Sequence, residues 1–280
     1  MKKKVRDIAA VRVGQLFEIE EIMPTPPLKW AGGKRWLVPT LRKLYSPYRK
    51  RRLVEPFVGG LSVALGLSPQ KALLGDINAH AIYFYKWLQR GFQITAPMEN
   101  KAECYYSNRE RFNWLLSKDD AGSAEASGLF YYLNRTGFNG LCRFNSKGFF
   151  NVPFGKYAKI NYRRDFDEYV RALTGWEFVH SDFEKLKLRR GDFIYSDPPF
   201  DVEFTKYAKE DFTWEDQVRL AKWLAAHPGP VVASNQATPR IIKLYKSLKF
   251  KIQLVSAPRR ISCTGDRSNA REMLAIRNME

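Results

Sequence analysis

Seven short β-rich runs separated by stretches of helical patterning constrain this chain more than any other feature: RLVEPFVGG, KALLGDIN, WEFVHSDF, DFIYSDPPF, GPVVASN, FKIQLVSAP and EMLAIRN. Strands that alternate with helices bury both faces of a mostly parallel sheet, so the pattern predicts an α/β fold. The alternation breaks once. From about residue 91 to 175 no such run occurs, and Arg, Asn, Phe and Tyr are frequent. That stretch is expected to be an inserted, mainly helical module, entered through RGFQITAPMENKAE and left at LTGWEF, where strand patterning resumes. The predicted division is an N-terminal arm over 1–27, one domain over 28–90 and 176–280, and the insert over 91–175. The arm closes on MPTPP, whose prolines favour an extended connection.

Composition narrows the partner. Lys and Arg number 47 against 29 Asp and Glu, a net charge of +18 on 280 residues. So basic a chain points to a polyanion, with a merely soluble basic surface as the plainer alternative. The basic residues are interleaved with polar and aromatic ones, as in NRERFNW and FGKYAKINYRR, which favours nucleic acid over a membrane surface. No apolar run approaches the roughly 20 residues of a membrane span, and the opening MKKKVRDIAAVRVGQ lacks a signal-peptide core, so an intracellular protein is expected. Cys104, Cys142 and Cys263 are scattered and His80, His180 and His227 sit in unrelated contexts, so neither disulfides nor a metal site is expected.

Two strand ends carry chemistry. LVEPFVGGLSVALGL runs from an apolar strand into Gly59 and Gly60 and then into helical patterning, the form of a tight turn that brings backbone close to a ligand. The next strand ends in LLGDIN, where Asp76 is placed to accept from both hydroxyls of a ribose. A dinucleotide would use the same geometry. The full G-x-G-x-x-G spacing and the P-loop are both missing, which makes an adenosyl cofactor without a polyphosphate, S-adenosylmethionine, the better fit. The fourth run ends in an acid, two prolines and an aromatic ring, Asp197 to Phe200; the prolines stop the strand and leave a stiff elbow.

LKWAGGKR, EPFVGG, GDIN, YYLNRTGFNGLCRFNSKGFFNVPFGKY and SDPPF, in that order, resemble the Dam-type DNA adenine-N6 methyltransferases, the D12 class with alpha motif order. The resemblance runs from about Lys29 to Arg277 and includes VVASN and APRRISCTGDRSNAREMLAIRN. It implies a Rossmann-like S-adenosylmethionine-dependent methyltransferase sheet, with the insert as a target-recognition domain carrying a DNA-reading hairpin or loop. Two positions depart from the family's usual pattern: its glycine motif often reads F-x-G-x-G, whereas the last position here is Leu61, and Phe200 stands where Tyr is usual. Both bear on cofactor affinity and remove no catalytic atom.

The resemblance implies roles. Asp197 and the Pro198 carbonyl would accept the two N6 hydrogens of adenine, with Pro199 stiffening the elbow and Phe200 stacking on a base flipped out of the duplex. The cofactor would be held by Trp30, Lys34, Glu55, Pro56, Phe57, Gly59, Gly60, Asp76, Asp182, Phe183 and Asp197. Leu141, Arg143 and Pro153 would read bases, Phe138 would wedge into the duplex, and Lys29, Asn139, Asn145, Lys156 and Tyr157 would touch the backbone. Direct attack needs no covalent intermediate, so Cys142 is expected to be a small packed residue. The expected partner is double-stranded DNA, with GATC as target and no membrane. The expected setting is a monomer in the cytoplasm of a bacterium or phage host, alone or with a cognate restriction endonuclease. The alternatives are a catalytically inactive DNA-binding homologue and a methyltransferase for RNA or a protein amide.

Overall fold

The computed structural model describes residues 24–201, 212–257 and 270–279. Most of the N-terminal arm and part of the last resembling motif, with Cys263, lie outside them. Every one of the seven predicted runs contributes a strand: β1 (Leu53–Glu55), β2 (Ala72–Asp76), β3 (Trp176–His180), β4 (Phe193–Ser196), β5 (Val231–Gln236), β6 (Lys251–Ala257) and β7 (Ala270–Arg277). They form one sheet in the order β3-β2-β1-β4-β5-β7-β6. The first five pair in parallel, and β7 runs antiparallel to both β5 and β6. The chain order reverses between β1 and β4, and such a switch point opens a crevice at the C-terminal ends of the strands.

Burial explains the runs. β2 and β4 are buried throughout, as expected of parallel strands covered on both faces, whereas the edge strand β6 exposes alternate polar residues and Leu254. Neighbouring strand residues face opposite layers. Leu53, Leu74, Phe193 and Tyr195 join one apolar cluster, while Val54, Leu73, Ile194 and Val231 join another.

Helices α1 (Val38–Tyr45), α2 (Ser62–Leu67) and α3 (Ala79–Leu88) accompany the first strands, and the insert contributes α4 (Ala102–Ser117), α5 (Ala124–Thr136) and α6 (Asp167–Ala172). Local chemistry starts several of them. Asn78 caps α3 and Ser123 caps α5, each accepting a backbone N–H of the first turn. Residues 91–175, expected from sequence to form an insert, share the core of the sheet: Tyr105, Phe112, Phe130 and Leu133 are continuous with Phe84 and Leu88 of α3 and with the sheet beneath. On the opposite face lie α7 (Trp214–Ala226), opened by a Thr213/Asp216 capping box, and α8 (Pro239–Ser247), capped by Thr238. Leu220, Leu224, Ile241 and Tyr245 fill that layer. No helix among the described residues is long and apolar enough to cross a membrane.

Candidate active site at the strand switch point

Asp197 follows the last residue of β4, and its two oxygens differ. Oδ1 accepts from Ser234 Oγ of β5 at 2.7 Å and lies 3.3 Å from Lys34 Nζ. Because Ser234 donates its only hydroxyl proton to Asp197, Tyr195 donates to Ser234 Oγ, at 3.0 Å. Oδ2 has no such contact among the described residues. Lys34 is 3% exposed; its Nζ also donates to the Gly32 carbonyl at 3.0 Å, lies 3.7 Å from Glu272 Oε2 and sits 4.3 Å from the centre of the Phe200 ring.

The elbow is braced from the same side. Asn235 donates to Gln217 Oε1 at 2.9 Å, and Gln217 Nε2 donates to the Pro199 carbonyl at 2.8 Å. Asp201, just beyond, forms a two-pronged pair with Arg240.

One lysine therefore faces two acids, and a third, Glu55, lies near enough to feel the charge of Asp197. Burial raises the Asp197 carboxyl above its ordinary range, opposed by Lys34 and Ser234. Glu55, at the end of β1, is pushed well above the usual range by burial and then by the charge of Asp197, and its Oε1 has no hydrogen-bond partner. Glu272 on β7 is raised by burial and by Asp197 and lowered by Lys34. The cluster therefore holds more carboxyl groups than cations, and burial works against ionising all of them.

The glycine turn is shaped by Trp30. A methyl group added to Gly59 would come within 2.8 Å of the indole nitrogen, and one added to Gly60 within 2.7 Å of Trp30 Cβ. Gly59 has φ +47°, and Tyr85 of α3 donates to its carbonyl at 2.5 Å. Leu61 follows with φ 67° and ψ 18°, a left-handed residue with a fully buried side chain. Glycine adopts that conformation without strain; here a leucine accepts the strain and fills the core. Asp76 Oδ2 accepts from the Gly59 N–H at 2.9 Å and Oδ1 from the Asn78 N–H at 2.8 Å, so the carboxylate ties the two strand ends together. Each oxygen keeps a second lone pair. Ile77, next in sequence, is 71% exposed.

Asp182 and Phe183 are placed differently from the rest. The Asp182 carboxylate is held by both Nη atoms of Arg219 at 2.9 Å, which lowers its pKa, and it also accepts from the Glu184 N–H. Phe183 is buried against Phe57, Phe212 and Trp223, with the Arg219 guanidinium over its ring. Pro56 is buried beside Phe57. This motif forms a fixed wall, with its carboxylate already engaged.

Between α5 and α6 lies an irregular hairpin, bridged at Gly137–Phe154 and Phe144–Phe150. Phe138, Asn139, Leu141, Arg143, Asn145, Pro153 and Lys156 are exposed along it. Arg143 donates from Nε to Asn151 Oδ1 at 2.8 Å and from Nη2 to the Asn151 carbonyl at 3.2 Å, which orients the guanidinium. Asn145 Oδ1 closes the tip by accepting from the N–H groups of Lys147 and Phe149. Lys29 and Tyr157 have structural work. Lys29 Nζ lies 3.7 Å from the centre of the Tyr157 ring and donates to the Arg135 carbonyl at 2.8 Å, and its backbone pairs with the Asn134 side chain. Cys142 is half-buried against Asn134, its thiol pushed up to about 11 by burial, in keeping with a packed residue.

Sequence reasoning missed Ser234, Glu272, Gln217, Asn235, Ile77 and Tyr85. VVASN flags the polar end of an otherwise apolar strand, the signal that marks Ser234 and Asn235; the acid that opens EMLAIRN, directly before the apolar Met-Leu-Ala-Ile, marks Glu272 in the same way. Gln217 and Tyr85 lie in ordinary helical patterns and carry no such signal. No group of His, Cys, Asp and Glu suited to a metal ion occurs among the described residues.

A family model described as D12 class N6 adenine-specific DNA methyltransferase matches residues 30–261. The chain is 37% identical over 267 residues to the DNA N-6-adenine-methyltransferase of Escherichia phage P1, covering 89% of this chain and 35% of that protein. It is 35% identical to the DNA adenine methylase of Escherichia coli strain K12, with 89% and 94% covered. To a type II methyltransferase of Lactococcus lactis subsp. cremoris it is 32% identical, with 87% and 92% covered. The chain thus spans about a third of the phage relative's length and nearly all of the other two.

Proposed function

The chain belongs to the D12 class of N6 adenine-specific DNA methyltransferases, and from that premise we propose that it methylates N6 of adenine in duplex DNA, at GATC, with S-adenosylmethionine as donor. The observation that carries the reading is the division of labour on Asp197: Ser234 and Lys34 occupy Oδ1, and Oδ2 is left to accept a hydrogen from the substrate.

The residues present fit S-adenosylmethionine. A cluster with more carboxyl groups than lysines suits a cationic ligand, the Gly59-Gly60 turn seats Trp30 directly against its backbone, and exposed Ile77 beside Asp76 offers an apolar surface to a nucleobase. Asp76 would take the ribose hydroxyls. Trp30, Lys34, Glu55, Pro56, Phe57, Gly59, Gly60, Phe183 and Asp197 would line the rest, with Asp182 acting through its backbone and its hold on Arg219. When bound, the cofactor supplies a methyl group made electrophilic by a sulfonium sulfur.

The chain's own residues do the remainder. The N6 lone pair of adenine is delocalised into the ring and must be turned outward. Oδ2 of Asp197 accepts one N6 hydrogen and the Pro198 carbonyl accepts the other, which fixes the direction of the lone pair and sets negative charge against the positive charge growing on nitrogen. Asp197, its carboxyl pKa raised by burial, then takes the proton that N6 loses. Gln217 keeps the elbow in register. A target base inside a duplex must be flipped out at a cost of a few kcal/mol; stacking on Phe200, worth about 1–3 kcal/mol, offsets much of it.

On the hairpin, Arg143, Leu141 and Pro153 read base edges, half-exposed Phe138 fills the gap left by the flipped base, and Asn139, Asn145 and Lys156 follow phosphates. Lys29 and Tyr157 support the hairpin's base. The enzyme acts as a monomer in a bacterial or phage-host cytoplasm, alone or beside a restriction endonuclease.

The test is transfer of labelled methyl from S-adenosylmethionine to duplexes with GATC, with one base of that site changed, and with no adenine, using wild type and Asp197→Ala. Label on the GATC adenine alone, lost in the variant, is the expected result. Label across many adenine contexts would remove the GATC assignment and keep the chemistry; DNA binding without any transfer would remove the enzyme reading.

A further inference from the structure

The parallel strands of this sheet separate charge. Their C-terminal ends carry Glu55, Asp76 and Asp197, whereas the chain entering their N-terminal ends is basic. Residues 49–52 (RKRR) before β1 and 185–190 (KLKLRR) before β4 become neighbours because β1 and β4 pair in parallel with Leu53 opposite Phe193.

The join is rigid. Arg52 donates from Nε and Nη2 to the two oxygens of Asp192 at 3.0 and 2.7 Å and from Nη2 to the Lys187 carbonyl at 2.9 Å. Arg51 Nη1 reaches the Gly191 carbonyl at 3.4 Å, and His227 Nε2 donates to the Asp192 carbonyl at 3.0 Å. β2 brings Lys71 to the same end, where its carbonyl accepts from the Leu53 N–H at 3.0 Å. Asp192 is buried and committed to Arg52 and to the Arg189 N–H, so it does not reach the surface.

What remains outside is Arg49, Lys50, Arg51, Lys71, Lys187, Arg189 and Arg190, all exposed. None of them pairs with a carboxylate among the described residues. Like charges concentrated on one rim repel, and nothing in the described fold offsets that; a phosphate backbone would, with release of its counterions. Four arginines suit phosphate oxygens, which planar guanidinium groups bind two at a time. The rim stands at the far end of the strands from Asp197, about 13 Å away along β4 at the usual strand rise, and points in the opposite direction. A duplex lying over Asp197 and the hairpin cannot also cover it.

We propose that this rim is a second surface for double-stranded DNA, which holds a further segment through its phosphates without reading bases. The word "second" rests on the methyltransferase reading above; the rim's own affinity for a duplex does not.

The test uses the full chain and a triple variant, Lys187→Glu with Arg189→Glu and Arg190→Glu, which leaves Arg52 and Asp192 intact. Mass photometry with excess short duplex at low salt counts bound duplexes, anisotropy against salt gives the affinity, and single-turnover labelled-methyl transfer follows the chemistry. Wild type is expected to bind two duplexes and the variant one. Affinity for the added duplex should fall at least tenfold, the logarithmic salt slope should drop by about 2.7 for three lost phosphate contacts, and methyl transfer should stay within about twofold. One duplex per wild-type chain at low salt, or two still bound by the variant, overturns the proposal. Loss of every duplex in the variant also overturns it, because the rim would then be the primary contact. In a parallel arm with phosphatidylglycerol vesicles, co-sedimentation of wild type but not the variant, together with a single bound duplex, would replace DNA by lipid. Wild type that binds two duplexes but methylates none would leave the rim standing and remove the catalytic reading.

Discussion

Ser234 Oγ donates to Oδ1 of Asp197 at 2.7 Å, the same oxygen that Lys34 approaches to 3.3 Å. Two donors from different parts of the chain converge on one oxygen, and the other has no such contact among the described residues. The carboxylate is thus oriented by the fold itself, so on the proposed mechanism the cost of ordering it is met in folding rather than in the reaction.

Ser234→Ala removes a donor that touches no substrate. Methyl transfer in single turnover is expected to slow by about 10- to 100-fold, the equivalent of about 1.4–2.7 kcal/mol of lost transition-state stabilisation. Cofactor and DNA affinity should stay within about threefold. Calorimetric titration beside the kinetics would decide: a loss confined to cofactor affinity would mean that Ser234 shapes the cofactor site and not Asp197.

Lys34 and Glu272 are expected to move the acid side of the rate profile in opposite directions. Lys34 lowers the Asp197 pKa, so Lys34→Met shifts the acid limb to higher pH, and activity lost at neutral pH partly returns in alkaline buffer. Glu272→Gln removes a like charge and releases Lys34 to Asp197, which shifts the limb to lower pH and lowers the plateau by about tenfold, because a less basic Asp197 is a weaker acceptor. The two variants' profiles of kcat against pH check the signs. Limbs that coincide with wild type would show that Asp197 does not titrate in catalysis.

Leu61→Gly releases a left-handed leucine, a gain of about 1–2 kcal/mol, and empties a fully buried side-chain position, a cost of about 2–5 kcal/mol. The cavity wins. Urea unfolding is expected to show a net loss of about 1–3 kcal/mol, and equal or greater stability would mean that the strain at this turn exceeds what the core recovers.

Glu55 makes stability depend on pH. Its folded-state pKa lies well above the unfolded value because of burial and then Asp197. The native chain therefore holds a proton that the unfolded chain has lost, and stability falls as pH rises from the ordinary glutamate range towards the folded pKa, by up to about 1.4 kcal/mol per pH unit. Glu55→Gln removes that slope. Melting temperatures from pH 5 to 9 should converge at the acid end and favour the variant at the alkaline end; parallel curves would show that Glu55 is ionised in the native state.

The sequence by itself determined the strands, their alternation with helices and the order of the chemical segments. Strand patterning is a local consequence of burial, on both faces for central strands such as β2 and β4 and less completely at the edges, so each of the seven runs announces itself, and Gly59-Gly60, Asp76 and Asp-Pro-Pro-Phe are contiguous words at strand ends. Tertiary structure alone decided which side chains share a site. Ser234 and Asp197 meet because β4 and β5 pair in parallel; Glu272 arrives on β7, which is inserted antiparallel between β5 and β6; and Gln217 reaches Pro199 from a helix on the opposite layer. It likewise gave Asp182 to Arg219, Tyr157 to Lys29 and the two basic runs to one rim. Those relationships depend on strand order and register, which join residues far apart in the chain, and a local pattern carries no record of its distant partner.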